Sequence, residues 1–330
     1  MLKSKRAKRI FLIVDIALLA VLAVSVFFAQ QEKVAVVDEQ DDVGSYYARF
    51  IEHDGQVYPV KRGLQSILLI GKDAMEGRRP QSDVETFYND DLADFLLILA
   101  FDHENKTVTP LQINRDTMCD VPWLSVNGLV GGYAQLQVTM AHIFGSGKLD
   151  SSKNTVNAVM GLLYNAPIDY FFTFSMDTVP IMNDLVGGVT VTLEDDVPTL
   201  GPEYVKGKTI TLNGQNALNF VRARDSSLLD SNLPRMGHQR LYMNAFINQA
   251  RERIANDPEF VVRAYDKVER FLITDLTVET VSELVNDFYE YRVQPIMTYE
   301  GQYTWSKVET SQFFADEDSL WNCVQSTFCA

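Results

Sequence analysis

Cysteine is scarce in this 330-residue chain, which has three, too few for a disulfide framework. Histidine is nearly as rare: His53, His103, His142 and His238 are the only four, and none is spaced like a metal ligand pair. No Gly-x-Ser-x-Gly elbow and no Walker loop occurs, which removes two common signatures of hydrolysis and of nucleotide binding. Positive charge is also short, with 29 Lys and Arg against 44 Asp and Glu and a formal net charge of −15. Five cations, Lys3, Lys5, Arg6, Lys8 and Arg9, precede residue 10, so everything after Ala29 carries about −19. Phosphate backbones reward clustered Lys and Arg, and so acidic a body argues against a nucleic-acid reader. No internal repeat and no low-complexity tract is present. What the chain does have is 46% hydrophobic and 11% aromatic residues, enough for a packed core and against global disorder. Its length suits one large domain or two small ones.

Ile10 to Ala29 is an apolar run of 20 residues, about what a helix needs to cross the hydrocarbon core. The five cations before it (residues 1–9) predict a cytoplasmic amino terminus and a body outside the cell. A cleaved signal peptide is the rival reading, but Ser25-Val-Phe-Phe-Ala29 offers no small-x-small cleavage site. Asp15 within the run costs a few kcal/mol in lipid unless it reaches the headgroups or binds a proton. Residues 30–63 are expected to be an extracellular tether ending in a short hairpin about Asp54-Gly55. Cys323 and Cys329 either pair outside the cell or remain two free thiols.

The body, residues 64–330, alternates strand and helix patterns. Strands are predicted at Ser66 to Ile70, stopped by Gly71, at Phe95 to Phe101 and at Val108 to Ile113, the last two joined tightly through His103 to Lys106. Helices are predicted from Ser152, with Val156, Val159, Met160 and Leu163 on one stripe, and over Val179, Met182 and Val186, ending at Gly187. A strand follows at Val189 to Leu193, and a long helix starts near Pro234. Strands mixed with helices on a chain of this length imply one layered α/β domain.

Several polar residues gain meaning from this layout. If 95–101 and 108–113 are antiparallel about a turn centred between Glu104 and Asn105, position 94 faces position 115, and Asp94 and Arg115 emerge at the same end of the sheet. Asp73 reaches the same edge if its strand runs antiparallel to 95–101. Two carboxylates near an arginine suit Mg²⁺ sharing phosphate oxygens, or a purely structural ion pair. In Val221-Arg-Ala-Arg-Asp225, Arg222 and Arg224 share a face if the segment is extended and splay apart on a helix. Two guanidinium forks on one side suit phosphate; solvated surface arginines are the alternative. Arg235, Gln239 and Met243 are spaced by four, which puts an arginine and an amide on a buried stripe. Such a pair calls for an anionic ligand or an internal salt bridge. Asp116 is either a base or a bridge to an arginine, and Cys119 reads as a structural thiol.

Ser66-Ile-Leu-Leu-Ile-Gly-Lys-Asp73, Ala93-Asp94, Ile113-Asn-Arg-Asp-Thr117 and Pro167-Ile-Asp-Tyr170 together resemble the LytR–CpsA–Psr family. Leu185-Val-Gly-Gly-Val189, Leu212-Asn-Gly-Gln-Asn-Ala-Leu218, Val221-Arg-Ala-Arg224 and Arg235 to Gln239 continue the likeness in the family's order. It runs from about Leu64 to the end, with its motifs stopping near Arg240. The resemblance implies a three-layer α/β/α sandwich with a central mixed sheet, an apolar tunnel for a prenyl chain and the amino-terminal transmembrane helix. It implies a Mg²⁺-dependent phosphotransferase that moves a glycopolymer, such as teichoic acid or capsule, from a polyprenyl-pyrophosphate carrier to peptidoglycan.

By that resemblance Asp73 and Asp94 are metal ligands, and Arg115, Arg222, Arg224, Arg235 and Gln239 bind the pyrophosphate. Arg115 and Asp116 are the candidate catalytic residues. Two departures stand out. Leu92 replaces an arginine usual in the family, a loss of ~1.5–3 kcal/mol if it removes one charge-assisted contact. Asn114 replaces the usual proline, which looks milder. A non-catalytic polyprenyl-phosphate-binding module and a membrane-tethered regulator are the competing functions.

Overall fold

The computed structural model describes residues 49–73, 89–125, 128–225, 227–257, 260–277, 280, 284, 291–307 and 310–330. The basic tail, the expected anchor at 10–29 and most of the tether lie outside these residues. Among the described ones, no helix is long and apolar enough to cross a membrane.

The chain enters as a hairpin, β1 (Phe50–His53) and β2 (Gln56–Pro59). Asp54 and Gly55 at its tip have φ of 51° and 70°, as a two-residue turn of this kind demands. The hairpin belongs to the body rather than to the tether. Ile51 and Val60 sit in the main core, and the backbone of Lys61 and Ala330 ties β2 to the carboxyl terminus.

Three long strands follow: β3 (Leu64–Lys72), β4 (Ala93–Asp102) and β5 (Thr107–Ile113). The β4–β5 register pairs Leu96 with Ile113 and Asp102 with Thr107, the turn centre that the sequence predicts. Gly71 does not stop β3. The strand runs through it, and a Cβ there would meet Phe95 at 2.9 Å and the Phe174 ring at 3.1 Å. The glycine lets two aromatic side chains close over the backbone.

A ribbon of β6 (Met118–Leu124) and β7 (Val130–Gln137) leads through a 3₁₀ turn at Val138–Ile143 to α1 (Leu149–Leu162). The buried face of α1 differs from the predicted stripe. Ser151, Ser152, Asn154 and Thr155 are buried beside Ala158 and Val159, whereas Val156 and Met160 are partly exposed. The polar groups are satisfied locally: Asn154 donates to the carbonyls of Pro122 and Ala141, each at 2.8 Å. Then come β8 (Tyr170–Ser175), α2 (Thr178–Leu185), the ribbon β9 (Val189–Thr192) with β10 (Thr209–Leu212), and α3 (Gly214–Arg222). The chain continues through α4 (Asn232–Asn256), α5 (Phe260–Val268), β11 (Leu272–Thr274), β12 (Arg292–Val293), β13 (Gly301–Trp305), β14 (Ser311–Ala315) and α6 (Glu317–Phe328).

The central sheet has the order β11-β8-β3-β4-β5-β12 and is mixed, with β3–β8 and β5–β12 parallel and the other pairs antiparallel. Every residue of β4 is buried, as its continuous apolar run requires of a strand covered on both faces. Leu68, Ile70, Leu96, Ile98 and Phe171 pack with α1, α6 and the hairpin. Ile67, Leu69, Phe95, Leu97 and Phe172 point to the opposite face, where α2 to α5 build their own core around Val221, Tyr242 and Phe246. Cys119, Cys323 and Cys329 are all free and buried, so the disulfide alternative is not formed.

Candidate functional site

The site lies where β3 ends and β4 begins. Asp73 immediately follows β3, its N–H held at 2.9 Å by the Leu92 carbonyl. Across from it the β3–β4 register slips between Gly71, paired with Phe95, and Lys72, paired with Ala93. Asp94 is therefore the extra residue of a β-bulge, a device that re-aims side chains at a sheet end. Both aspartates thus emerge at one edge, and Arg115, two residues past β5, forms an ion pair with Asp94.

Two further segments supply arginine. The Val221 to Asp225 segment is not a simple extended strand. Arg222 is the last residue of α3, where a cation is favoured by the helix dipole, and Ala223 then turns the chain out with φ −59° and ψ 121°. Arg222 donates to Asp73 at 2.8 Å, while Arg224 is exposed. Arg235, in the first turn of α4, is 3% exposed, and its Nη1 stands 4.0 Å from Asp94 Oδ1. The predicted stripe is correct for Arg235 and Gln239, both buried.

The four guanidinium groups feel one another. Burial first, and then the Arg235 charge, lowers the Arg115 pKa to about 10, against the opposing pull of Asp116. Arg235 is likewise lowered to about 10 by burial and then by Arg224. Four arginines face three carboxylates, Asp73, Asp94 and Asp116, which leaves the cluster net positive.

The remaining predicted residues serve as supports. Asp116 is buried, with Oδ1 3.3 Å from Arg115 Nε and accepting from Gln137 Nε2 at 3.2 Å. Its Oδ2 accepts from the Tyr303 hydroxyl at 3.2 Å. Gln239 donates to the Val221 carbonyl at 3.3 Å and accepts from Gln112 at 3.2 Å, strutting α4 between α3 and β5. Asn114, Asn232, Tyr303, Gln112 and Gln137 were not among the predicted site residues. Asn232 carried one usable signal, its position three residues before Arg235, but Tyr303 on β13 carried none. Leu92, where an arginine was expected, contributes its carbonyl to Asp73.

Beneath the arginines the walls become apolar. A cavity of about 40 Å³ touches Val221 and Gln239. It adjoins one of about 120 Å³ reaching Leu69, Phe172 and Leu272, and the two share Phe95, Phe174, Val179, Tyr242 and Met243 as walls.

The family model described as LytR_cpsA_psr matches residues 26–327. The chain belongs to that family. Relatives include the polyisoprenyl-teichoic acid–peptidoglycan teichoic acid transferase TagU of Bacillus licheniformis, 25% identical over 77% of this chain and 74% of its own length. TagU of Bacillus subtilis is 25% identical over 82% of this chain and 78% of its own. Among solved structures, TagT bound to LIIa-WTA superposes with a TM-score of 0.60 at 21% identity, covering 89% of this chain and 98% of that one. That likeness shows the mixed α/β fold of the LytR_cpsA_psr domain. The family match itself extends over the whole body of the chain, beyond the short motifs.

Proposed function

We propose that this protein transfers a glycopolymer from a polyprenyl-pyrophosphate carrier to peptidoglycan, leaving a phosphodiester link. One observation carries the reading: four arginines from three separate segments converge, two of them buried, in a cluster with net positive charge. Like charges gathered out of water are unfavourable unless an anion joins them. Three aspartates offset part of that charge, the remaining excess favours an anionic ligand such as a diphosphate, and the apolar cavities nearby suit the carrier's hydrocarbon. The TagU relatives are transferases of polyisoprenyl-linked teichoic acid to peptidoglycan, which supports a donor and acceptor of this kind.

The residues fit Mg²⁺ by the chemistry of their donors: Asp73 and Asp94 offer two hard oxygens at one edge, the number that Mg²⁺ takes when it shares phosphate oxygens. They would hold the ion, and it would neutralise phosphate charge there. Arg115 and Arg222, paired with Asp94 and Asp73, stand within reach of the same edge and would bind phosphate oxygens there. A peptidoglycan sugar hydroxyl attacks the polymer-side phosphorus. The bond from that phosphorus to the bridging oxygen breaks, and prenyl phosphate leaves with the electron pair. The arginines stabilise charge as it moves onto the leaving phosphate. Asp116 aims Arg115 from below; the Tyr303 hydroxyl links it to the site surface, a route by which it can accept the hydroxyl's proton. The body acts outside the cell, held by the apolar run at 10–29.

The test is transfer of labelled polymer from a prenyl-pyrophosphate donor to peptidoglycan with Mg²⁺. Asp73→Ala with Asp94→Ala should reduce it by roughly 100-fold or more, the scale expected when electrostatic stabilisation is removed. Full activity in that double variant ends the metal assignment. Protease access to residues 31–330 on intact cells tests the location.

A further inference from the structure

Asn114 departs from the family's proline, and the structure makes it the hub of a buried network. Its side chain is almost wholly enclosed. Oδ1 accepts from the Asp116 N–H at 3.1 Å and from Asn232 Nδ2 at 2.6 Å, and Nδ2 donates to the Tyr303 hydroxyl at 3.0 Å. Asn232, also buried, spends its own oxygen on Arg235, accepting from Nε at 2.9 Å and Nη2 at 2.5 Å. Two amides therefore connect the Arg115–Asp116 loop to the guanidinium of Arg235. A proline could make none of the Asn114 contacts, because it has no side-chain donor or acceptor.

The choice of amide matters physically. Arg235 is buried among like charges, so it needs a restraint to stay there. A carboxylate would restrain it but cancel its charge. A neutral amide oxygen fixes two of its nitrogens and leaves the positive charge available to a ligand, with Nη1 directed toward the Asp94 edge.

We propose that Asn232, oriented by Asn114, is a positioning residue that aims Arg235 at the pyrophosphate. The inference rests on the pyrophosphate reading above and assigns to this chain a device outside its recognisable motifs.

A double-mutant cycle tests it, with inorganic pyrophosphate and Mg²⁺ as the probe and the full chain in detergent. Asn232→Ala should weaken binding roughly tenfold in the otherwise unaltered protein and less than twofold on an Arg235→Ala background, because the residue acts through Arg235. Loss of the same factor on both backgrounds assigns Asn232 a general structural role and overturns the proposal. Should Asn232→Ala not fold, Asn232→Ser, which keeps an oxygen at a helix start, serves in the same cycle. No binding by the unaltered protein removes the pyrophosphate reading and this inference together. Binding with additive losses removes this inference alone.

Discussion

The two faces of the central sheet are built from alternate residues of the same strands, yet they do different work. Leu96, Ile98 and Ala100 point to a face closed by α1, α6 and the amino-terminal hairpin, within one continuous core. Phe95, Leu97 and Leu99 point to a face over which α4 lies with space on both sides. One side holds the aromatic cavity of about 120 Å³, and the other holds a cavity of about 310 Å³ bounded by Leu97, Leu99, Arg240 and Ile296. A protein interior normally fills such gaps. Space left beside α4 is what the proposed function requires for a hydrocarbon chain, and the filled face backs the strands β3 and β4 that carry the two aspartates.

Adjacent residues give the sharpest way to break this contrast. Ile98→Ala on the filled face should lower unfolding free energy by about 3–4 kcal/mol, the usual price of a cavity in a close-packed core. Leu97→Ala, bordering existing space, should lower it by roughly half as much, because its neighbours already lack contacts on one side. Chemical denaturation of both variants measures the difference. Equal losses would mean that the second face is as well packed as the first.

Acid should act on the filled side. His142, in the 3₁₀ turn packed against β4, is fully buried, with Nδ1 3.0 Å from the Asp91 carbonyl. Burial and then the Lys72 charge lower its pKa to about 4, against the pull of Asp91 and Asp150. In the unfolded chain it titrates near 6.5. Between those values the unfolded chain binds a proton that the folded one refuses, so stability is lost as pH falls from about 6.5 to about 4. The loss is on the order of 3 kcal/mol and levels off below that range. Melting curves across the window should show it, and His142→Gln should flatten the dependence. An unchanged slope in the variant assigns the acid sensitivity elsewhere.

How much of this was legible beforehand depends on the range of the interaction. The Asp94–Arg115 pair followed from a local hairpin, since one turn centre fixes every facing position. Asp73 needed one more fact, the antiparallel sense of β3 and β4, which periodicity does not carry. The stripe on α4 was readable because helical spacing is local. The predicted stripe on α1 held at Val159 and Leu163 but missed Ser152 and Asn154, which are buried through hydrogen bonds to Thr173 and to the Pro122 and Ala141 carbonyls, contacts that hydrophobicity cannot register. Asn114 looked like a mild substitution for the same reason: its partners, Asn232 and Tyr303, lie 118 and 189 residues away. The bulge that turns Asp94 toward the site leaves no trace in composition.

The smallest expected effect separates the two cavities beside α4. Met243 borders the 120 Å³ and 310 Å³ spaces and the small one under the arginines, so it stands between all three. An unbranched thioether fills irregular gaps and yields to an incoming chain. Met243→Trp replaces it with a rigid ring in a place that already has room, so stability should change by no more than about 1 kcal/mol. A short geranyl-pyrophosphate donor would reach only the cavities nearest the arginines and should transfer at nearly the unaltered rate. A long-chain prenyl donor must pass Met243, and its transfer should fall about tenfold, equivalent to about 1.4 kcal/mol. Parallel assays with the two donors measure the ratio. If both fall together, the ring has disturbed the arginine cluster. If neither falls, the hydrocarbon lies elsewhere, and the open face has a purpose other than holding the carrier.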